Sequence, residues 1–258
     1  AWNDFNLALA EVRTDAVLLR EAAAARHGAE MDIVEDVLGS LSRRVDLLTM
    51  PPAACDAVLA AAHDLFRERY GMLWVLDADG RMLCSARPAE RGVDYSHLSY
   101  VRAVQAYRRP ALGSFVVGEV SRRRVLPVLV PMLGPDGSLS AMVGASVYLD
   151  YLVRTHRAIP IADTHHVWLI DSAATAVTLS DAPDSALPAG GILQRIVGEE
   201  AQTFEAPARS GVAQIWSVAI VEPGLRLMVS LPLEAIRRAA HQALIVRLLE
   251  FGLILGVC

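Results

Sequence analysis

The chain writes one short strand twice. Residues 73–77 read LWVLD and residues 167–171 read VWLID, ninety-four positions later. Each is a run of apolar residues closed by an aspartate. The first opens LWVLDADGRMLC, in which Asp-Ala-Asp-Gly separates two β-type runs and supplies the turn dihedrals of a hairpin. The second opens VWLIDSAATAVT. A fold that uses the same strand twice in this way places it as the first central strand of two similar sheets.

The elements around the two strands follow the same order. Before the first, apolar residues at Val34, Val37, Leu38, Leu41, Val45 and Leu48 recur at three- and four-residue steps and predict one long helix from Asn3 to about Leu48. Gly28 is expected to interrupt it and Pro51-Pro52 to end it. A second helix is predicted over 53–69. After the first hairpin, 87–110 read as a loop and a short helix. GSFVVGEV, RVLPVLVPML and SLSAMVGASVYL then give three β-type runs, the last two joined by Gly-Pro-Asp-Gly. VWLID, AVTLS, a helical ILQRIVGEE, and the strands AQTFEA, AQIWSVAIV and LRLMVSL restate that order in shorter form. Pro232 sits where the first turn of a final helix tolerates it. The expected class is α+β: a leading helix (1–50), an antiparallel-sheet domain (51–158), a second, smaller one (159–232) and a C-terminal helix (233–258).

Composition excludes more than it selects. The chain has 258 residues, 53% hydrophobic and 21% charged, which suits two folded cores. Its net charge of -5 and the brevity of its one basic run, Arg122-Arg123-Arg124, argue against nucleic acid. GxxxxGK[ST], HExxH and GxSxG do not occur, and nothing calls for a cofactor. Asp163, His165 and His166 resemble a metal set, but adjacent strand residues point to opposite faces, so none is expected there. Glu199-Glu200 reads as a solvated helix end.

The opening AWNDFNLALAEV has no basic n-region. The last run, from Phe251 to Cys258, is apolar and shorter than the ~20 residues of a membrane span, and reads as the beginning of one. Of three cysteines, Cys258 lies in that run; Cys55 and Cys84 are either two buried thiols or a disulfide, according to compartment.

In order and spacing, LWVLDADGRMLCS, DYSHLSYVRA, GSFVVG, VLPVLVPMLGPDGSLSAMVGASVYLDYL and VWLID resemble the extracytoplasmic double Cache sensors of bacterial transmembrane receptors, over essentially the whole chain. The resemblance implies a membrane-distal and a membrane-proximal PAS-like domain, a periplasmic location between transmembrane helices, and a homodimer packed through the leading helix. It implies a small molecule bound in the distal domain between sheet and loops. The output it implies, a diguanylate cyclase, histidine kinase or chemotaxis module, would lie inside the cell. Export in turn favours a Cys55–Cys84 disulfide. A ligand-free dimerisation module and a periplasmic enzyme are the competing readings.

The amino-acid-binding members of that family hold the ligand carboxylate with an arginine and a Trp-Tyr pair, and its ammonium with an aspartate on a later strand. Aligned on Tyr100, this chain has His97 at the arginine, Ser99 at the tryptophan and Ser146 at the aspartate. An α-amino acid is therefore not expected, since its buried ammonium would lack a carboxylate. The ligand-binding set expected from the resemblance is Trp74, His97, Tyr100, Arg102, Phe115, Arg124, Ser146 and Tyr148, and its arginines suggest a small organic anion.

Overall fold

A computed structural model of the chain describes residues 2–87, 91–118, 121–157 and 162–234. The leading helix α1 runs Trp2–Ser42 without a break. Gly28 does not interrupt it. A glycine costs a helix about 1 kcal/mol, whereas the face carrying Ala16, Ala23, His27, Met31, Val34, Leu38 and Leu41 is buried along the helix length. The helix ends before the prolines, and a 3-10 turn at Val45–Leu48 follows. Helix α2, Pro52–Leu65, starts on Pro52, whose missing N–H is no loss at a first helical position.

The first sheet is built from β1 (Tyr70–Asp77), β2 (Met82–Ser85), β3 (Ala111–Leu112), β4 (Val116–Val117), β5 (Arg124–Leu133) and β6 (Leu139–Tyr148). Its order is β2-β1-β6-β5-β3, with β4 also on β5, all antiparallel. Helix α3 (Ser99–Tyr107) lies between β2 and β3, and α4 (Leu149–His156) leaves β6. The second sheet contains β7 (His166–Ile170), β8 (Ala176–Thr178), β9 (Gln202–Pro207), β10 (Ala213–Glu222) and β11 (Leu225–Pro232), with α5 (Ile192–Gly198) before β9. Its order, β8-β7-β11-β10-β9, is that of the first sheet position for position. The twin strands LWVLD and VWLID are β1 and β7, each second from the hairpin edge.

Strand alternation then splits each copy in the same way. Leu73 and Val75, like Val167 and Leu169, join one core that also takes in α1. Trp74 and Leu76, like Trp168 and Ile170, face the other side and enter separate clusters. The early part of α1 meets the second sheet, where Arg13 donates to Glu205 at 2.7 Å and Arg20 to Ser217 at 3.3 Å. Farther along, Glu30 accepts from Tyr151 of α4 at 2.8 Å. Cys55 and Cys84 form a disulfide between α2 and β2. Pro232, expected in the first turn of a final helix, is instead the last residue of β11, paired with Gln214; the rest of that expected helix, beyond Glu234, and the apolar run from Phe251 lie outside the described residues. Among the described residues no helix is long and apolar enough to cross a membrane.

Candidate functional site

The outer faces of the two sheets differ in one respect. On the second sheet the space beside Trp168 is occupied: Trp216, Met228 and Ile170 pack with Leu193 and Ile196 of α5. On the first sheet the corresponding space is a cavity of about 660 Å³. Its floor is Gly71, Met72 and Trp74 of β1, Ser146 of β6, and Val125 and Pro127 of β5. Residues 93–100 make one wall. Ser114 and Val116 to Gly118 make a lip opposite.

Glycines let the aromatic rings lie against backbone. Gly144 pairs with Trp74 across β1 and β6, and a Cβ there would come within 2.4–2.6 Å of the indole. A Cβ on Gly113 would meet the Tyr100 ring at 2.8 Å. The pairing partner of Trp168 is Met228 rather than a glycine, so its ring is walled in by a side chain. An interior glycine in a strand is a sequence mark of such close approach. In Gly144→Ala the indole must swing off β6, and we expect a loss of about 1–3 kcal/mol in urea denaturation with a shift in tryptophan emission as the ring enters the cavity. Unchanged stability and emission would show that the ring does not rest on Gly144.

Four of the eight predicted contact residues line this cavity: Trp74, His97, Tyr100 and Ser146. The other four lie elsewhere. Arg124 precedes Val125 on β5, and alternation turns it away from the face that Val125 and Pro127 present. Phe115 lies between the lip residues Ser114 and Val116 but packs on the main core instead. Arg102 is on the exposed side of α3, whose buried residues are Val101 and Val104. Tyr148 is buried past the cavity edge, against Gly71, with the Arg123 guanidinium 3.6 Å above its ring. Met72, Tyr95, Ser121, Gly144 and the valines of the lip were not anticipated as site residues.

The lining is aromatic and aliphatic with a few hydroxyls. Besides its tyrosines, the titratable side chains of the lining are His97 and Asp94, both exposed. Asp94 already accepts from the Ser96 amide at 2.8 Å, and its bonds to Ser96 hold its pKa below the usual carboxylate range. Burial pushes the Tyr100 phenol up to about 12, so it remains a neutral donor. Among the described residues, no protein group hydrogen-bonds to the Tyr100 hydroxyl, the Trp74 indole N–H or the Ser146 hydroxyl. These three groups face a largely apolar space, the usual composition of a small-molecule site. Among the described residues, no three His, Cys, Asp or Glu side chains gather to hold a metal.

No family model matches the sequence, and no curated protein does. Solved structures do match. The ligand-binding domain of the Pseudomonas fluorescens chemoreceptor CtaA, in complex with L-isoleucine, superposes with a TM-score of 0.69 at 13% identity, over 93% of this chain and 100% of that one. The ligand-binding domain of the Campylobacter jejuni chemoreceptor Tlp3, in complex with 4-methylisoleucine, gives 0.63 at 11% identity, over 88% and 92%. The V. cholerae histidine kinase DctB sensor domain gives 0.63 at 12% identity, over 86% and 97%. The chain has the double Cache fold. These three structures are ligand-binding or sensor domains of two chemoreceptors and a histidine kinase. In double Cache terms, the cavity belongs to the first of the two PAS-like units and the filled face to the second.

Proposed function

We propose that this chain is the extracytoplasmic sensor region of a bacterial transmembrane receptor and that it binds a small molecule in the cavity of its first PAS-like unit. The supporting observation is the contrast within the duplication: one outer face is packed shut, and the equivalent face encloses about 660 Å³ with donors that have no partner among the described residues. The asymmetry favours a ligand-binding role for the first unit over a ligand-free module. The ligand contacts are Trp74, His97, Tyr100 and Ser146, joined by Met72 and Tyr95.

The lining supports one ligand class over others. Arg102 and Arg124, the arginines that would suit an organic anion, both lie outside the cavity. An α-amino acid needs a carboxylate for its ammonium; Ser146 stands on the floor, and Asp94 is exposed and engaged by Ser96. The geometry favours a compact, uncharged, mostly apolar molecule bearing one or two oxygen functions for Tyr100 and Ser146. Leu7, Leu18 and Ile33 remain exposed along α1. They support a homodimer packed through that helix, with the membrane-proximal end at the second unit.

Thermal unfolding of the purified chain tests the assignment against three groups of probes: neutral ring alcohols and ketones, simple carboxylates, and the standard amino acids. At a hundredfold excess over Kd, a binder stabilises by about 2.7 kcal/mol, a shift of several degrees. The expected result is a rise with members of the neutral group, abolished in Ser146→Phe, which fills the floor. A rise confined to carboxylates or amino acids would overturn the ligand class.

A further inference from the structure

The twin strands end in twin aspartates, and the two do different work. Asp77 Oδ1 accepts from the amides of Asp79 and Arg81 at 3.0 and 2.8 Å and closes the hairpin turn. Asp171 Oδ1 does the same for Ala173 and Thr175, also at 3.0 and 2.8 Å. The second oxygen of Asp171 is used again. Its Oδ2 accepts the Phe115 amide of the first unit at 2.8 Å. The next residue reinforces the link, since Ser172 Oγ lies 3.3 Å from Ser114 Oγ. Phe115 sits between Ser114 and Val116, two residues of the cavity lip.

Asp171 is 1% exposed. A carboxylate in that position is tolerated only while its oxygens are hydrogen-bonded, and bonds to an ionised acceptor are the strong ones. If the lip moves by an ångström, Oδ2 is left buried without a donor or the 171–175 turn moves with it. The two sheets share the core behind them; this bond is a further link between them, made at the residue that joins Ser114 to Val116 of the lip.

We propose that Asp171 is a coupling residue, which ties the lip of the cavity to the second PAS-like unit so that displacement of the lip is passed to the 171–175 turn. The proposal rests on the reading of the cavity as a ligand site. The bond itself is testable without any ligand.

Amide exchange in the whole chain, resolved to single residues, provides the test. In Asp171→Ser the hydroxyl still accepts one turn amide but no longer reaches Phe115. The Phe115 amide is expected to exchange about ten- to a hundredfold faster, with the strand amides of β1 and β6 unchanged. Asp171→Asn, of the same size, should give a shift of the same sign. Asp77→Ser should loosen its own turn and leave Phe115 as it is. Unchanged exchange at Phe115 in both Asp171 variants would overturn the link, as would an equal effect from Asp77→Ser.

Ser146→Phe then stands in for an occupied cavity. It should alter exchange at Ala173 and Thr175 when Asp171 is present, and leave them unaltered when Asp171 is serine. An equal response in both backgrounds, or none in either, would overturn the relay. Failure of every compound to raise the melting temperature would count against the ligand site while leaving the Phe115 result intact, so the two readings fail separately.

Discussion

Replacing Cys55 and Cys84 with alanine is expected to lower the unfolding free energy by about 3–4 kcal/mol, and reducing the unaltered chain should do the same. The cysteines are 29 residues apart. In the chain-entropy treatment, freeing a loop of that length returns about 3.6 kcal/mol of disorder to the unfolded state. The folded contact should survive, because neighbouring groups hold the same two elements together. Asp56, beside Cys55, accepts the Ser85 amide at 2.9 Å, beside Cys84, and Arg91 pairs with the same carboxylate. The effect should therefore appear as a lower urea midpoint with one cooperative transition. The alanine variant should be indifferent to reductant. A loss under about 1 kcal/mol would mean that the unfolded chain already keeps α2 and β2 close.

The duplication was legible because it rests on pattern. Two runs with the same apolar order and the same terminal aspartate became the same strand in two sheets of identical order. Packing behind them was legible in part: Val34, Leu38 and Leu41 of the predicted apolar period are buried, whereas Val45 is 65% exposed in the turn beyond α1. What failed was phase. Arg124 suits a ligand by residue type, yet it sits one position out of step with Val125 and Pro127, which line the cavity, and one residue of strand register reverses a side chain; Phe115 lies within the lip segment but packs on the main core. Gly144 stands in the run SLSAMVGASVYL, but its meaning depends on Trp74 being directly opposite, a fact of pairing across 70 positions. The Asp171–Phe115 bond was hidden for the same reason. Its partners are 56 residues apart and belong to different sheets, so no local spacing signals it. Gly28 shows the reverse error, in which a weak local preference yielded to burial along the helix.

Lowering the pH from 7.5 to 5 should destabilise the chain by about 2 kcal/mol through His27 alone. His27 lies on α1, is fully buried, and neither ring nitrogen has a partner among the described residues. Its ring centroid is 5.9 Å from that of His156 on α4. His156 Nδ1 donates to the Leu152 carbonyl at 2.8 Å. Glu30, one turn along α1, is already engaged by Arg26, Arg69 and Tyr151. Burial, then the neighbouring His156, push the His27 pKa down from 6.5 to about 3. The sign follows: between those two values the unfolded chain binds a proton that the folded chain refuses, so stability is complete above pH 6.5 and falls on acidification. At about 1.4 kcal/mol for each pH unit, the loss reaches about 2 kcal/mol at pH 5 and about 4 kcal/mol at pH 3. His156, His165 and His166 are shifted down by burial and add in the same direction. Glu222 is shifted up by burial and by Glu35 and Asp32, and opposes them. Urea titrations at the two pH values in His27→Leu remove the His27 share and retain the rest. A variant as acid-sensitive as the unaltered chain would place the proton elsewhere; a flatter profile would make the α1–α4 joint the point at which acid loosens the fold.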